Sequence, residues 1–279
     1  MTKTLVTGDY TSNLMKGGAL LGETFHLLRL WQPEEDFTDF SQRVASQNML
    51  AKSTRSRSRD VLTRVFRRRF LKHGEEPARI LKVLIEAGIA RDVVVLLIYY
   101  WTALAERLLF DFVVERLWDL WAEGRVYVTT DDVLDYINEL AVRGRMRGTW
   151  SEHIRRKTAR GLLAALRDFG VLEGRTRKRI RGMRLPWEVA AIVAYDLRRR
   201  GVTPVELVES SVWRLFLVGE AQLRQVLAEV QQEGLITLQQ AGSVVCIDWA
   251  YDGAEEVAHV IAAGAHPVRG GAPAGPEAT

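Results

Sequence analysis

Residues 149–170 read TWSEHIRRKTARGLLAALRDFG, and this stretch predicts a long helix with two different faces. Thr149 and Glu152 have the spacing of a capping box, which predicts Thr149 as the N-cap, and Gly170 is a typical helix end. One stripe at helical spacing, called the basic stripe below, contains His153, Arg156, Lys157, Arg160, Ala164 and Arg167. The opposite face is apolar and contains Ile154, Leu162, Ala165, Leu166 and Phe169. Such a helix packs on a core by one face and presents cations to solvent by the other.

The segments on either side of this helix indicate a known arrangement. A β-branched stretch at 125–129 predicts a strand, Thr130 begins a helix, and a basic turn at 143–148 leads into the helix above. Predicted strands at 171–173 and 183–186 enclose a basic loop with Arg175, Arg177, Lys178, Arg179 and Arg181. The order of elements from 106 to 186 is that of a winged helix-turn-helix. In that arrangement the third helix enters the major groove and the wing contacts the flanking backbone.

Positive charge is concentrated in two segments of the chain. Residues 52–72 hold nine basic residues and one acidic residue, and residues 143–184 hold fourteen basic and three acidic residues, although the whole chain is only +4. This segregation creates a local field that attracts polyanions, so DNA-binding residues are predicted in both segments. Besides the basic stripe and the wing, they are Lys52, Arg55, Arg57, Arg59, Arg145 and Arg147.

The run at 52–59 has two interpretations. It opens a predicted helix, where cations are unfavourable because the N-terminal end of a helix is already positive. A bound phosphate would relieve that repulsion, and the interspersed serines and threonine could donate hydrogen bonds to it. The alternative is a solvated helix start without a ligand.

The chain is expected to be mainly α-helical and to contain three folded units. Residues 1–105 are predicted as an N-terminal helical domain, 106–186 as the basic winged helix-turn-helix, and 187–250 as a second winged-helix-like unit ending in a β-hairpin. Residues 265–279 are rich in Gly, Pro and Ala and are predicted to be a disordered tail. In the third unit the corresponding helix is neutral to acidic, so we expect it to pack against protein; it carries Glu220, Gln222, Arg224, Gln225, Glu229, Gln232 and Glu233.

The sequence lacks the residue patterns that several classes of function require. The chain has one cysteine, Cys246, and five histidines, with no metal-ligand spacing, no phosphate-binding glycine loop and no nucleophile elbow. We therefore expect no metal, no cofactor and no enzymatic activity. The apolar run at 93–105 is shorter than the roughly 20 residues that span a bilayer, which predicts a buried core helix and no membrane association. A single cysteine fits a cytoplasmic protein.

Two stretches resemble a known family. They are residues 14–31, LMKGGALLGETFHLLRLW, and residues 44–59, VASQNMLAKSTRSRSR, the latter followed by the cluster Arg67-Arg-Arg-Phe70. Together they are similar to the BrxA family of the bacterial BREX (bacteriophage exclusion) systems, most sharply over about residues 10–72. The resemblance implies a non-enzymatic, mostly helical protein that binds double-stranded DNA. It also implies a phage-defence operon with a methyltransferase, an ATPase and a phosphatase-like protein, and a likeness to RNA-binding antitermination factors.

Three functions stay open at this point. The first is a BREX component that binds duplex DNA mainly through its phosphates, because the basic stripe lacks the Asn and Gln side chains that read adenine best. The second is a sequence-specific transcriptional regulator built on the same scaffold. The third is an RNA-binding or protein-binding module in the same defence complex.

Overall fold

The protein is mainly α-helical, as predicted. A computed structural model describes residues 5–6, 8–51, 54–242 and 244–264, so Lys52 and the predicted tail at 265–279 lie outside the described residues. The α-helices are α1 (Leu14–Gly17), α2 (Leu21–Leu30), α3 (Phe37–Ser46), α4 (Arg55–Asp60), α5 (Glu76–Glu86), α6 (Arg91–Ala105), α7 (Arg107–Asp111), α8 (Trp118–Ala122), α9 (Thr130–Val142), α10 (Glu152–Asp168), α11 (Trp187–Arg199), α12 (Pro204–Val208), α13 (Glu220–Gln232) and α14 (Ala254–Ala263). Two π-helical stretches, Val61–Leu71 and Phe112–Leu117, continue α4 and α7, and a 3-10 helix covers Ser211–Phe216.

The described residues contain two small antiparallel sheets. Strands β1 (Tyr127–Val128), β2 (Leu172–Glu173) and β3 (Lys178–Ile180) form one sheet in the order β1-β3-β2. In its register Tyr127 lies opposite Arg179, and Leu172 lies opposite Ile180. Strands β4 (Ile236–Ala241) and β5 (Val244–Trp249) form the second sheet, which confirms the hairpin predicted near the C-terminus.

The position predicted for the second strand of the wing is wrong. That strand was expected at 183–186, but the strand that pairs with β2 is β3 at Lys178–Ile180. The chain reverses early because Gly174 has φ +90°, and a Cβ atom there would lie 2.2 Å from the carbonyl oxygen of Arg177. The apolar residues of 183–186 serve the core instead, where Leu185 is buried.

Helix α6 lies at the centre of the core. Its predicted burial is confirmed, because the helix is apolar on all sides and ten of its fifteen residues are buried. The Tyr99 ring contacts Phe169 and Phe216 at centroid distances of 5.1 and 6.1 Å, and its hydroxyl donates to the Leu215 carbonyl at 3.0 Å. One apolar cluster crosses the expected domain boundaries at 105/106 and 186/187, which stay predictions.

A bend at Glu106 separates α6 from α7. No single helix in the described part of the chain is both long and apolar enough to cross a bilayer. The stretches Arg91–Ala105 and Arg107–Ala122 would meet that test only together, and they are bent by 108° relative to each other. The Glu106 carboxylate is buried at the bend and accepts a hydrogen bond of 3.0 Å from the Thr11 hydroxyl.

Apolar residues at helical spacing and Pro33 predict a first helix from Thr11 or Ser12 to about Trp31, but the structure divides it in two. Gly18 (φ +53°) and Leu20 (φ +48°) adopt left-handed backbone conformations between α1 and α2. The break frees backbone carbonyls for the buried Arg69, whose guanidinium donates to Gly18 at 2.9 Å and Ala19 at 3.2 Å. A buried cation needs such acceptors, and burial still lowers the pKa of Arg69 to about 10.

Helix α1 packs closely against α10 and positions it. A Cβ atom at Gly161 of α10 would lie 2.5 Å from the Leu14 carbonyl oxygen and 3.0 Å from the Met15 Cα atom. Only glycine permits this backbone approach. The N-terminal segment therefore determines where the helix with the basic stripe lies.

Helix α14 is absent from the predicted elements. Its buried residues Ala254, Val257, Ala258 and Ile261 have i, i+3, i+4, i+7 spacing, the signal from which it could have been predicted. The helix packs against α5 and α11, joining the C-terminal hairpin to the N-terminal helices.

Candidate nucleic-acid interface

Helix α10 begins two residues later than predicted. The N-cap is Ser151, whose hydroxyl accepts from the backbone N–H of Ile154 at 3.4 Å, so the capping box with Thr149 is wrong. Glu152 is the first residue of the helix rather than the third, and its carboxylate accepts from Arg156 Nε at 2.9 Å. The helix therefore starts with an ion pair on its exposed face.

The two faces of α10 agree with the predicted pattern. His153, Arg156, Lys157 and Arg160 of the basic stripe are exposed, whereas Ala164 and Arg167 are half-buried. Four of the five predicted apolar residues are buried: Leu162, Ala165, Leu166 and Phe169. Ile154, in the first turn, is half-buried. The helix is thus anchored along its apolar side and presents a cationic edge to solvent.

The cations of the basic stripe differ in their partners. Arg156 pairs with Glu152 at 2.9 Å and Arg167 with Asp168 at 2.5 Å. Lys157 and Arg160 form no ion pair with any residue that the structure describes. Because exposed ion pairs contribute little, about 0–1 kcal/mol, a polyanion can compete for all four side chains.

The hairpin formed by β2 and β3, called the basic hairpin below, holds the cations predicted for the wing. The Lys178 ammonium donates to the carbonyls of Gly174 at 2.9 Å and Arg175 at 2.5 Å, which fixes the turn. The Arg177 guanidinium lies over the Tyr127 ring, 4.2 Å from its centroid. Arg179 pairs with Glu173. Arg175 and Arg181 are exposed and form no ion pair within the described ranges.

A groove of about 660 Å³ separates the basic stripe from the basic hairpin. Arg160 and Arg167 line it from α10, and Arg175, Arg177 and Lys178 line it from the hairpin; this space is called the basic groove below. Thr129, Thr130 and Thr176 add hydroxyl groups, and Asp131 also lines it. Burial and the nearby Arg167 charge lower the pKa of Lys178. Five cations that converge on one groove create a field suited to an anion.

Arg145 lies apart from this groove. Its guanidinium donates to Glu115 at 2.8 Å and Asp111 at 3.0 Å, and it lies 6.0 Å from the centroid of the Tyr10 ring. These contacts, foremost the hydrogen bonds with Glu115, raise the pKa of Arg145. The side chain therefore joins the N-terminal segment to α7 and its π-helical extension, and its predicted role as a DNA contact stays a prediction.

The remaining predicted contacts are distributed over other surfaces. Arg147 is highly exposed and pairs with Asp9 at 3.3 Å. Arg55 and Arg59 line a different cavity, together with Arg67, and share no lining residue with the basic groove. Arg57 is half-buried and lines neither cavity. The two segments of positive charge thus line distinct concave surfaces.

Some residues of the groove were not predicted as site residues. Tyr127 and the three threonines come from β1, the start of α9 and the hairpin turn. The strand prediction at 125–129 placed Tyr127 beside the wing, and this neighbourhood was the signal available for it. No group of three or more His, Cys, Asp or Glu side chains suited to a metal ion is found among the described residues.

The fold and this surface define a mainly helical protein with a cationic exposed helix and an adjoining basic hairpin. The model of the BrxA family matches residues 8–195, more than half of the chain. The chain therefore belongs to the BrxA family of the BREX phage-defence systems. No curated protein matches the sequence.

A solved structure supports the fold independently. The crystal structure of an uncharacterised protein from Magnetospirillum magneticum is similar over 75% of this chain and 98% of its own. The TM-score is 0.58 and the sequence identity is 17%. At this identity the likeness concerns the fold alone.

Proposed function

We propose that this chain is a non-enzymatic double-stranded DNA-binding component of a BREX system. The observation that carries the proposal is the basic groove, where cations of α10 and of the basic hairpin converge. The proposed contacts are the basic stripe, Arg147 and the hairpin residues Arg175, Arg177, Lys178, Arg179 and Arg181. The methyltransferase, ATPase and phosphatase-like protein of the system are its proposed partners, and no cofactor is proposed.

The order of elements supports a winged-helix interpretation. Strand β1, helices α9 and α10, and strands β2 and β3 follow one another, with β3 paired between the other two strands. In a winged helix-turn-helix the element in the position of α10 lies in the major groove, and the hairpin contacts the phosphate backbone beside it. The exposed cations occupy both of these positions.

The chemistry of the surface favours phosphates over base edges. Arginine and lysine neutralise phosphates, and each neutralised phosphate makes binding more sensitive to salt. The basic stripe contains no Asn or Gln for adenine. The turn of the hairpin is rigid because Lys178 ties it to two backbone carbonyls, so its arginines project from a fixed platform.

Alanine substitution of the basic stripe tests the proposal. Replacing Arg156, Lys157 and Arg160 together removes three exposed cations, two of which are unpaired within the described structure, and is expected to abolish most gel-shift binding of duplex DNA without unfolding the protein. The control variant carries Arg29→Ala, Arg79→Ala and Arg224→Ala, which lower the net charge equally at positions away from the basic groove. Equal DNA affinity of the two triple variants would contradict the proposal.

The same preparation distinguishes the other two functions. Binding that survives an excess of random duplex would indicate a sequence-specific regulator, because backbone contacts carry no sequence information. Equal affinity for duplex RNA and DNA, or none for either, would favour an interaction module.

A further inference from the structure

A second cavity lies between α3 and the helix that begins with α4. Its volume is about 600 Å³, and it is lined by Arg55, Arg59 and Arg67 on one side and by Thr38, Ser41 and Gln42 on the other. Arg55 and Arg59 come from α4 and Arg67 from its π-helical continuation. Three cationic side chains from one helix thus face the polar side chains of another.

These three arginines differ from Arg64 and Arg68 on the same helix. Arg64 pairs with Asp60 at 3.0 Å, and Arg68 lies 3.3 Å from Glu106. Arg55, Arg59 and Arg67 form no ion pair with any residue in the described part of the chain. Asp36 attracts Arg67 electrostatically without forming an ion pair with it, so one carboxylate lies near three cations. The excess of like charges is repulsive, and an anion between them would reduce that repulsion.

An aromatic ring in the wall of the cavity holds one of the three arginines in a fixed orientation. The Arg67 guanidinium lies over the Phe37 ring at 4.9 Å from its centroid, which restricts its orientation. Asp36, next to this ring, is the N-cap of α3 and accepts from the backbone N–H of Thr38 at 2.7 Å. The hydrogen bonds with Thr38 and the Arg67 charge hold the pKa of Asp36 below its ordinary value. The hydroxyls of Thr38 and Ser41 and the amide of Gln42 can donate hydrogen bonds into the same space.

We propose that this cavity binds a phosphate group. Guanidinium groups recognise phosphate oxygens by charge-assisted hydrogen bonds, and hydroxyl and amide donors complete such a site. The volume accommodates a phosphate ester of nucleotide size, since ligand cavities of this kind span about 300–1,000 Å³. The phosphate could belong to a free nucleotide or to a nucleic-acid strand, and the two sources share this chemistry.

Calorimetric titration with inorganic pyrophosphate and with 5′-AMP at low salt tests the site. The Arg59→Gln and Arg67→Gln double variant is expected to bind pyrophosphate at least about tenfold more weakly than the unmodified chain, because each charge-assisted hydrogen bond contributes appreciably. The matched control is Arg64→Gln, which removes one cation from the same helix outside this cavity and is expected to change affinity less than about twofold. Thermal unfolding of each variant verifies that it is folded.

A gel shift with duplex DNA, using the same variants, identifies the source of the phosphate. If pyrophosphate and 5′-AMP binding require Arg59 and Arg67 while DNA affinity does not, the ligand is a small phosphate ester. If the double variant also loses about tenfold in DNA affinity, the cavity holds a backbone phosphate. The proposal is overturned if pyrophosphate binds the unmodified chain, the double variant and Arg64→Gln equally, or binds none of them. Because the titration uses no DNA, its result does not depend on the proposed function of the basic groove.

Discussion

Arginines with the same charge have different roles in this protein. Arg145 is 29% exposed and is held by Asp111 and Glu115, whereas Lys157 and Arg160 are exposed without an ion-pair partner among the described residues. An ion pair that is partly removed from solvent stabilises the fold, and an unpaired exposed cation is available to a ligand. The exposure of each side chain and its ion-pair partners therefore distinguish cations that stabilise the fold from cations that are candidates for ligand binding.

Substitution of Arg145 by Gln is expected to reduce stability and its dependence on pH. Burial raises the pKa of Glu115, but hydrogen bonds from Arg145 and Tyr136 outweigh it and hold that pKa below its ordinary value. The stability from Glu115 is therefore fully present above its unfolded pKa, about 4.3, and is lost as pH falls through the lowered folded value. Partial exposure limits the cost of the substitution to about 1 kcal/mol.

Urea unfolding of the unmodified chain and Arg145→Gln, at pH 7 and below pH 4, checks this prediction. The difference between the two proteins should be largest at pH 7 and shrink in acid. Unchanged stability combined with a large loss of DNA affinity would instead assign Arg145 to the binding surface.

Substitution of Gly161 by Ala is expected to destabilise the protein by about 1–3 kcal/mol, as overpacking does in other cores. The added Cβ would lie 2.5 Å from the Leu14 carbonyl oxygen and would push α1 away from α10. Thermal unfolding measures the effect. Gly182→Ala is the control, because nothing lies within 4 Å of a Cβ atom there. Equal melting temperatures for the two variants would show that the close approach of α1 to α10 does not matter.

At the scale of elements, α10 and the basic hairpin act as one surface. Arg160 and Arg167 face Arg175, Arg177 and Lys178 across the basic groove. The hairpin can hold its cations there because its turn is short and pinned by Lys178. We therefore expect each element to contribute to DNA binding, the helix in the groove of the duplex and the hairpin at its backbone.

Replacing Arg175 and Arg177 with alanine is expected to weaken duplex binding about tenfold and to lower the salt slope by about two, one for each phosphate that is no longer neutralised. The measurement is a series of binding isotherms at increasing salt. Arg179→Ala should have the smaller effect, because Arg179 is already paired with Glu173. If the hairpin variant keeps the full slope, the hairpin does not bind phosphate.

The sequence predicted α10 and its faces well because helical spacing reports directly on which side is buried. It failed where tertiary contacts decide the backbone. The break at Gly18 follows from the acceptors that Arg69 requires, and these lie fifty residues away in the chain. The position of β3 follows from a steric limit at Gly174, and the start of α10 follows from the hydrogen bond that the Ser151 hydroxyl accepts from the Ile154 N–H. None of these contacts is visible in hydrophobic periodicity.

At the scale of the whole molecule, the first stretch that resembles the BrxA family packs against α10, the helix that carries the basic stripe. Residues 14–19 contain α1, which packs against Gly161, and the carbonyls that accept from Arg69. The charged segment at 52–72 therefore contributes to the position of the basic stripe through Arg69. Its residues Arg55, Arg59 and Arg67 line a separate cavity. A modest net charge of +4 thus conceals separate cationic surfaces.

The salt dependence of duplex DNA binding tests the central claim most directly. For the unmodified chain, the logarithm of the association constant should fall steeply with the logarithm of salt concentration, by about 0.9 for each phosphate neutralised. The variant lacking Arg156, Lys157 and Arg160 should bind far more weakly, with a slope lower by about three. Equal affinities and equal slopes for the two proteins would contradict the assignment of the basic stripe to the DNA backbone.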